Sequence, residues 1–499
     1  MEQKKYVQKK ELTAFCVAGL GQGMIYALMS SYISDYYLNV LQLTPMFVLL
    51  LMLLARVWDA INDPLMGMIV DRSKFKSGKM LPFIRFALIP VAIVTILMYL
   101  SPNLDKTKLM IYSAIVYVAW GMLYTVGDVS FWGLPNVMTP DSEERSSVIS
   151  VSKIFNSIGS AVPEVLFAVI TAAFAFYIKK SPTSVDKLSM DKSMYLVMAV
   201  ITVGLGTVLY SRVCTGVKER VKMPVKKRQK GEPSQLSRVF KCKPLVLVLL
   251  MGVLSSGRYM VSAAAIHVAR YSFYIGPDLN TLSEVDQSAA ITASIGLVKT
   301  IFQISSIVGL FGATLFMPKL MKKFDYKKLV IVTCLAGFVA SIVTTLVGWF
   351  TMNLYACIPF IIISCIPLGV INTITLAMIG DCLDYMELKT GFRDNALGAA
   401  CQGFINKVGN AFATSGIVVM YMVIGLDPAQ MYSSNAVISA NSLEPGLRFA
   451  MFSLVSIVPG ISMLLCAIPM FFYKIAGQEK KNIIAALAKK RETSGVTVE

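Results

Sequence analysis

The chain has 499 residues, of which 56% are hydrophobic and 15% are charged, with a mean hydropathy of +0.65. A soluble globular chain is about 45–50% apolar and about 25% charged. The composition therefore excludes a soluble enzyme and a disordered chain. A net charge of +18 would suit a nucleic-acid partner in a polar protein. In so apolar a chain it predicts basic loops on the cytoplasmic side of a membrane, so we expect a lipid bilayer as partner and no nucleic acid.

Residue types that often carry enzyme chemistry are scattered or rare. Nine cysteines stand singly, most of them within apolar stretches, and no two have the spacing of a zinc or redox motif. His267 is the single histidine of the chain. The sequence therefore predicts a protein that is not an enzyme and that has neither a disulfide framework nor a bound cofactor.

Twelve apolar segments are long enough to cross a bilayer as helices. A hydrocarbon core of about 30 Å needs about 20 helical residues. The predicted spans, in chain order, are 12–38, 44–70, 80–100, 108–135, 148–177, 193–212, 244–275, 290–317, 328–349, 353–380, 396–425 and 446–473. The predicted fold class is therefore an all-α membrane protein with twelve transmembrane helices.

Basic residues in alternate loops orient these spans. Segment 213–243 carries ten Lys or Arg and segment 319–328 carries five, whereas loops 276–289 and 426–446 carry none. Loop 178–192, with four lysines, disagrees with the alternation. The positive-inside rule then places both termini in the cytoplasm, and we expect a bacterial plasma membrane.

Segment 213–243 also divides the chain into two halves of six spans each. We interpret 1–212 as the N-terminal half, 213–243 as a basic cytoplasmic linker, 244–473 as the C-terminal half and 474–499 as a cytoplasmic tail with an amphipathic helix. Two six-helix halves with corresponding loops are typical of the major-facilitator fold of secondary transporters.

Charges inside the apolar spans are the candidate functional groups, because an ionised side chain at the bilayer centre costs about 2.5–3.5 kcal/mol to insert. Span two carries Arg56, Asp59 and Asp63 on one helix face, with Asn62 beside them. Carboxylate and amide oxygens suit a small hard cation, and the amide favours Na⁺ over H⁺. Two crowded carboxylates would also permit proton coupling. The alternative is that Arg56 only neutralises one aspartate.

Span four carries Asp128 and Trp132 four residues apart, on one helix face. A carboxylate accepts hydrogen bonds from hydroxyl groups, and an indole ring stacks on the apolar face of a sugar. The pair indicates a glycoside site. The alternative for Trp132 is an anchor at the membrane interface.

Basic side chains within the spans outnumber the acidic ones. The five cations are Arg56, Lys153, Arg258, Lys299 and Lys407, and the four anions are Asp59, Asp63, Asp128 and Glu164. Two explanations stay open at this point. Some lysines snorkel to the membrane edge or pair structurally, or the cavity accepts an anionic group of the substrate.

Three stretches resemble motifs of the glycoside–pentoside–hexuronide:cation symporters. They are ARVWDAINDPLMGMIVDR with the following SGKMLPFIRF, then GDVSFWGLPNVMTPDSEERSS, and DCLDYMELKTGFRDNALGAACQGFINKVGNAF at 381–412. The resemblance extends in order over essentially the whole chain. It implies a twelve-helix major-facilitator transporter that carries a sugar or glycoside inward together with Na⁺ or H⁺, by rocking of the two halves.

The resemblance also implies site residues. The family's sodium site falls on Asp59, Asn62, Asp63 and Thr125. Its sugar-binding aspartate and tryptophan fall on Asp128 and Trp132, and its helix-eleven lysine, which links the two sites, falls on Lys407.

Two positions depart from the family pattern. A first-helix aspartate that binds sugar hydroxyls is replaced by Gly23, which leaves Gln22 as the nearby polar group. A fifth-helix arginine is replaced by Lys153, which keeps the charge but loses the bidentate fork. With Arg258 and Lys299 included in the substrate site, these changes favour a substrate with a carboxylate, such as a hexuronide.

Charged residues near the cytoplasmic loops are predicted to hold a cytoplasmic gate shut through charge complementarity. They are Asp71, Arg72, Glu143, Glu144, Arg145, Asp381, Asp384 and Arg393. We expect a monomer whose partners are a small sugar or glycoside and a monovalent cation, with no cofactor besides this coupling ion. The alternative is a lysolipid transporter of the same fold, which would need an apolar lateral opening. A cavity beside Asp128 and Trp132 that is polar throughout would distinguish the sugar transporter from it.

Overall fold

The computed structural model describes residues 6–73, 75, 78–139, 142–180, 187–220, 241–390, 395–426, 440 and 443–493, and the regular secondary structure in these ranges is helical. The first six long helices are α1 (Lys9–Asp35), α2 (Pro45–Arg72), α3 (Leu81–Met98), α4 (Lys106–Gly133), α5 (Ser142–Lys180) and α6 (Lys187–Tyr210). They are followed by α7 (Lys243–Leu254), α8 (Gly257–Tyr271), α9 (Glu284–Lys323), α10 (Tyr326–Thr351), α11 (Leu354–Thr390), α12 (Asn395–Val423), α13 (Pro445–Ser453), α14 (Ile457–Phe472) and α15 (Gln478–Thr493). Short helical segments at Tyr36–Val40, Pro135–Met138, Arg212–Gly216 and Leu279–Thr281 complete the set.

Each of the twelve predicted spans contains a long helix or a pair of helices. Within the described ranges, ten helical segments are long and apolar enough to cross a membrane. The second and eleventh predicted spans are also helical, as α2 and α12. Spans seven and twelve are each a pair of helices, α7 with α8 and α13 with α14. The prediction of an all-α membrane protein is therefore confirmed.

The helices expose apolar side chains and bury polar ones. Leu54 on α2, Phe86 on α3 and Ile115 on α4 are 65%, 64% and 64% exposed, whereas Glu164 and Lys299 are buried. A water-soluble protein would have the opposite distribution. Apolar groups on the outside and paired polar groups on the inside are what a bilayer selects, because hydrocarbon offers no hydrogen-bond partner.

The chain forms two compact units. The first comprises Met1–Lys227, Tyr274–Thr300 and Tyr421–Ser439, and the second comprises Arg228–Phe273, Ile301–Met420 and Ala440–Glu499. In the first unit α1 packs against α5 and α6, while α2 and α3 both pack on α4. In the second unit α10 packs on α11 and α14, and the tail helix α15 lies on α11. Residues 221–240 of the predicted linker lie outside the described ranges.

The backbones of α1 and α5 approach each other closely. A Cβ atom added to Gly23 would stand 2.2 Å from the carbonyl oxygen of Asn156, and one added to Gly159 would stand 2.0 Å from the carbonyl oxygen of Leu20. Both distances are far below van der Waals contact. Glycine at position 23 therefore has a packing reason, because an aspartate there would push the two helices apart.

A carboxylate from the segment after α6 caps the start of α3. Glu219 accepts hydrogen bonds from the backbone N–H groups of residues 79–81 at 2.6, 2.8 and 2.8 Å. These donors have no partner within the helix, and a negative charge at a helix N-terminus is favourable. The next residue, Arg220, donates to both carboxylate oxygens of Glu11 at 2.8 Å. Hydrogen bonds and an ion pair therefore hold the segment after α6 against both α1 and α3.

We expect Glu219→Ala to destabilise the protein by about 1–3 kcal/mol, since three backbone donors lose their acceptor. The measurement is the midpoint of thermal unfolding in detergent. Asp105→Ala is the control, because the Asp105 side chain is 80% exposed and its ion pair with Lys108 lies at the surface. Equal midpoints for the two variants would contradict this role of Glu219.

Candidate functional site

Asp59 on α2 lies against α4. Arg56, one turn earlier, donates to its Oδ2 atom at 3.2 Å, and both side chains are largely buried. The other oxygen, Oδ1, stands 3.3 Å from the place that a Cβ atom on Gly121 would occupy. One carboxylate oxygen therefore pairs with an arginine while the other meets α4 at a glycine. The pairing by Arg56 that the sequence left as an alternative is present, and it leaves Oδ1 unused by that arginine.

The other predicted cation ligands follow one helical turn further along. Thr125 lies four residues after Gly121, on the same face of α4, and is 4% exposed. Asn62 lies three residues after Asp59, and its buried Nδ2 atom has no hydrogen-bond partner among the described residues. Spans two and four cross the membrane in the same direction. Because Asp59 meets Gly121, the residues one turn further on, Asn62 on α2 and Thr125 on α4, are expected at the same depth. Asp63 is on α2 beside Asn62, and its side chain lies outside the description.

The carboxylate of Asp128 collects several neutral donors. Gln22 of α1 donates from Nε2 to Oδ1 of Asp128 at 2.8 Å. Tyr124 and Trp132 also direct side-chain hydrogen bonds to this carboxylate. The structure thus brings together three residues of the predicted substrate site, namely Gln22, Asp128 and Trp132. Sequence reasoning missed Tyr124, although its position four residues before Asp128 places it on the same helix face.

A small cavity beside Asp128 has both polar and apolar walls. Its volume is about 10 Å³, which is room for about one water molecule. Gln22, Tyr124, Tyr210 and Asp128 line it, together with apolar side chains of α1 and α3. Apolar side chains therefore form part of the lining, and the cavity is not polar throughout.

Lys299 of α9 forms a buried ion pair with Glu164 of α5. Lys299 is 1% exposed, bonds to the Glu164 carboxylate and donates to the hydroxyl of Tyr32 at 2.6 Å. Tyr32 in turn donates to Glu164 Oε2 at 2.8 Å, and its ring lies 4.1 Å below the ammonium. The three side chains all belong to the first unit. Of the two explanations left open for Lys299, the structure shows the structural pairing.

The remaining basic residues of the predicted substrate site differ in their surroundings. Lys153 on α5 is exposed and pairs with no carboxylate in the described part of the chain. Lys407 on α12 is partly buried. The side chain of Arg258 lies outside the description. Gly23 is buried against α5 and can offer only its backbone.

Asp381 on α11, a predicted gate residue, bonds to the tail helix. Lys480 of α15 donates to its Oδ2 atom at 2.7 Å and lies 4.0 Å over the ring of Tyr326. Burial lowers the pKa of Lys480, but the hydrogen bond and charge of Asp381, together with the interaction with Tyr326, raise it by more, so the net shift is upward. Sequence reasoning missed Lys480. The sequence feature that could have indicated it is a pair of lysines near the start of the amphipathic tail helix.

Two further gate candidates are engaged near the N-terminus. Glu144 accepts from the backbone N–H groups of Tyr6 and Val7 at 3.3 and 3.0 Å and from the Thr139 hydroxyl at 2.5 Å. Arg145 donates to the carbonyl oxygen of Thr139 at 3.4 Å. Of the other gate candidates, Asp384 is partly buried. The remaining ones fall outside the described residues, namely Arg393 and the side chains of Asp71, Arg72 and Glu143.

The apolar helices and their buried polar groups are typical of a multi-pass membrane protein. Residues 14–477 match the family described as MFS/sugar transport protein, and the chain belongs to this family. The resemblance to the glycoside–pentoside–hexuronide:cation symporters and the prediction that the protein is not an enzyme are thereby confirmed. It is a multi-pass membrane transporter of sugar-symporter type.

Relatives and a solved structure agree with this assignment. The chain is 26% identical to the uncharacterized symporter YjmB of Bacillus subtilis, over 98% of this chain and 97% of the relative. It is 24% identical to a putative sulfoquinovose importer of Salmonella typhimurium, over 98% and 94%. The crystal structure of a D-xylose–proton symporter has the same fold, with a TM-score of 0.55 at 13% identity over 93% of this chain and 100% of that one. The predicted major-facilitator fold is therefore confirmed.

We expect Lys299→Met alone to destabilise the protein by about 3–5 kcal/mol, because it leaves Glu164 charged and buried without its partner. The double variant Lys299→Met, Glu164→Leu should recover most of that loss and keep transport. Thermal unfolding in detergent and uptake into proteoliposomes measure the two effects, with Lys108→Met as the exposed control. A stable double variant that no longer transports would instead assign Lys299 to the substrate site.

Proposed function

We propose that this protein is a symporter that couples the entry of a sugar or glycoside to a cation, Na⁺ or H⁺, by alternating access. The observation that carries the proposal is that one helix, α4, serves both candidate sites. Its buried Thr125 lies on the face that meets Asp59 of α2, and Asp128, three residues further on, bonds to Gln22 of α1.

The cation would lie between α2 and α4. Oδ1 of Asp59, the side chains of Asn62 and Asp63 and the hydroxyl of Thr125 form the oxygen-rich ligand set that Na⁺ prefers. Asn62 is partly buried on the same stretch of α2, and its amide oxygen would be the ligand. A proton shared by the two carboxylates is the alternative coupling ion.

The sugar would bind where Asp128 and Trp132 lie together. An ionised carboxylate has about four acceptor positions, and neutral donors occupy only some of them, so a sugar hydroxyl can join the set. The indole of Trp132, held by its hydrogen bond to Asp128, offers a flat apolar surface for the C–H face of a sugar ring.

An acidic sugar, such as a hexuronide, is the substrate class that the basic residues favour. Lys153 has no carboxylate partner in the described ranges, so its charge is available to an anion. Lys299 no longer contributes to this argument, since Glu164 neutralises it. One relative is described as a putative sulfoquinovose importer, and sulfoquinovose is an anionic sugar. We further propose a monomer in a bacterial plasma membrane, with both termini in the cytoplasm.

Uptake into proteoliposomes from a mixture of neutral glycosides, pentosides, hexuronides and lysolipids, analysed by mass spectrometry, tests the proposal. Vesicles receive an inward Na⁺ gradient or a proton gradient alone. We expect cation-driven uptake of a sugar that falls at least about tenfold in Asp63→Asn and in Asp59→Asn, because each loses an ionised ligand.

Asp105→Asn makes the same chemical change at an exposed site and should transport as the wild type does. If the substrate is acidic, Lys153→Gln should remove the preference for the acid over its neutral analogue. Uptake of lysolipid alone, or sugar uptake that is indifferent to both aspartates, would overturn the proposed function.

A further inference from the structure

The amide side chains of Gln22 and Asn156 form a short chain that ends at Asp128. Asn156 on α5 donates from Nδ2 to the carbonyl oxygen of Gly19 at 3.0 Å and to Oε1 of Gln22 at 3.5 Å. Gln22 then donates from Nε2 to Oδ1 of Asp128 at 2.8 Å. Gln22 is 1% exposed, so its amide is shielded from bulk solvent.

This chain has a direction. A glutamine amide can present either its oxygen or its N–H₂ group, and the two orientations have nearly the same shape. With the oxygen towards Asp128, two acceptors would face each other in a low-dielectric interior. Because Asn156 supplies a donor to Oε1, it favours the orientation in which the N–H₂ group of Gln22 points to the carboxylate.

The close packing of α1 and α5 keeps Asn156 in place. Gly23 lies against the carbonyl oxygen of Asn156, and the hydroxyl of Ser160 bonds to the carbonyl oxygens of Gly23 and Asn156 at 3.4 and 3.0 Å. Asn156 therefore has little freedom to move relative to Gly19, the carbonyl of which binds its amide.

We propose that Asn156 is a positioning residue for the sugar site. It acts through Gln22, fixing that amide on Oδ1 of Asp128 so that the carboxylate keeps one orientation towards a substrate hydroxyl. The inference rests on the proposed function for the identity of the ligand. The orientation of the Asp128 carboxylate itself exists without a sugar, and it can be observed separately.

The first test measures sugar binding by calorimetry in a double-mutant cycle, with the sugar that the uptake experiment identifies. Asn156→Ala should weaken the affinity about tenfold, as expected for loss of one hydrogen bond to a charged group. In a Gln22→Ala background the same substitution should have less than about a twofold effect, because its target is gone. Ser193→Ala is the control, since Ser193 is exposed on α6 and its hydroxyl donates to the carbonyl oxygen of Ser189 within the same helix.

The second test uses infrared spectroscopy on the protein without sugar. The carboxylate band of Asp128 is the one lost in Asp128→Asn. It should shift in the same direction in Asn156→Ala and in Gln22→Ala and stay unshifted in Ser193→Ala. Asn156→Ser, with a side chain too short to reach Gln22, should behave as Asn156→Ala if that variant fails to fold.

An unshifted band in Asn156→Ala, or an equal loss of affinity in the Gln22→Ala background, would overturn the positioning role. A shifted band in a protein that binds no sugar would support the positioning role and overturn the proposed function, so the two failures are distinguishable.

Discussion

Polar groups inside the apolar helices must find their partners within the protein, because the surrounding hydrocarbon offers none. Glu164 and Lys299 neutralise each other, Arg56 neutralises part of Asp59, and Asp128 is held by neutral donors. Each of these arrangements limits where the neighbouring helices can lie. The need to pair buried polar groups therefore shapes both the candidate sites and the helix packing of the first unit.

Helix α4 connects the two candidate sites, the cation site beside Asp59 and the sugar site at Asp128. Asp59 meets α4 at Gly121, Thr125 follows on the same face, and Asp128 is one turn beyond. A cation bound beside Asp59 would add positive charge about two helical turns from Asp128, the proposed sugar-binding carboxylate, and would order α4, which lies along both sites. Each ligand then lowers the cost of ordering or repulsion for the other, which is the thermodynamic basis of symport.

Properties of local stretches were predictable from the sequence, and contacts between distant residues were not. The spans follow from the length of the apolar runs, and the charged stripe of α2 follows from the spacing of Asp59 and Asp63 on a helix. The excess of basic over acidic side chains inside the spans could also be counted from the sequence. It did not show that Lys299 pairs with Glu164, which is 135 residues away.

Other features needed the packing of the helices as well. Gly23 was recognised as the loss of an acidic group, but its reason became visible only when Asn156 was placed against it. Glu219, within the predicted basic linker, gave no sign in the sequence that it caps α3, because its partners are backbone groups 138–140 residues away. Lys480 was part of a predicted surface helix, and its bond to Asp381 depends on how α15 lies on α11.

The most direct test of coupling is calorimetric titration of the purified protein with sugar and with cation, each in the presence and absence of the other, at constant ionic strength. We expect the cation to raise sugar affinity by about 5–150-fold and the sugar to raise cation affinity by the same factor, since linkage is reciprocal. The sugar affinity should rise with Na⁺ concentration if the protein is a sodium symporter, and with falling pH if it is a proton symporter. A sugar affinity that changes with neither Na⁺ nor pH would contradict coupling between the α2–α4 site and Asp128.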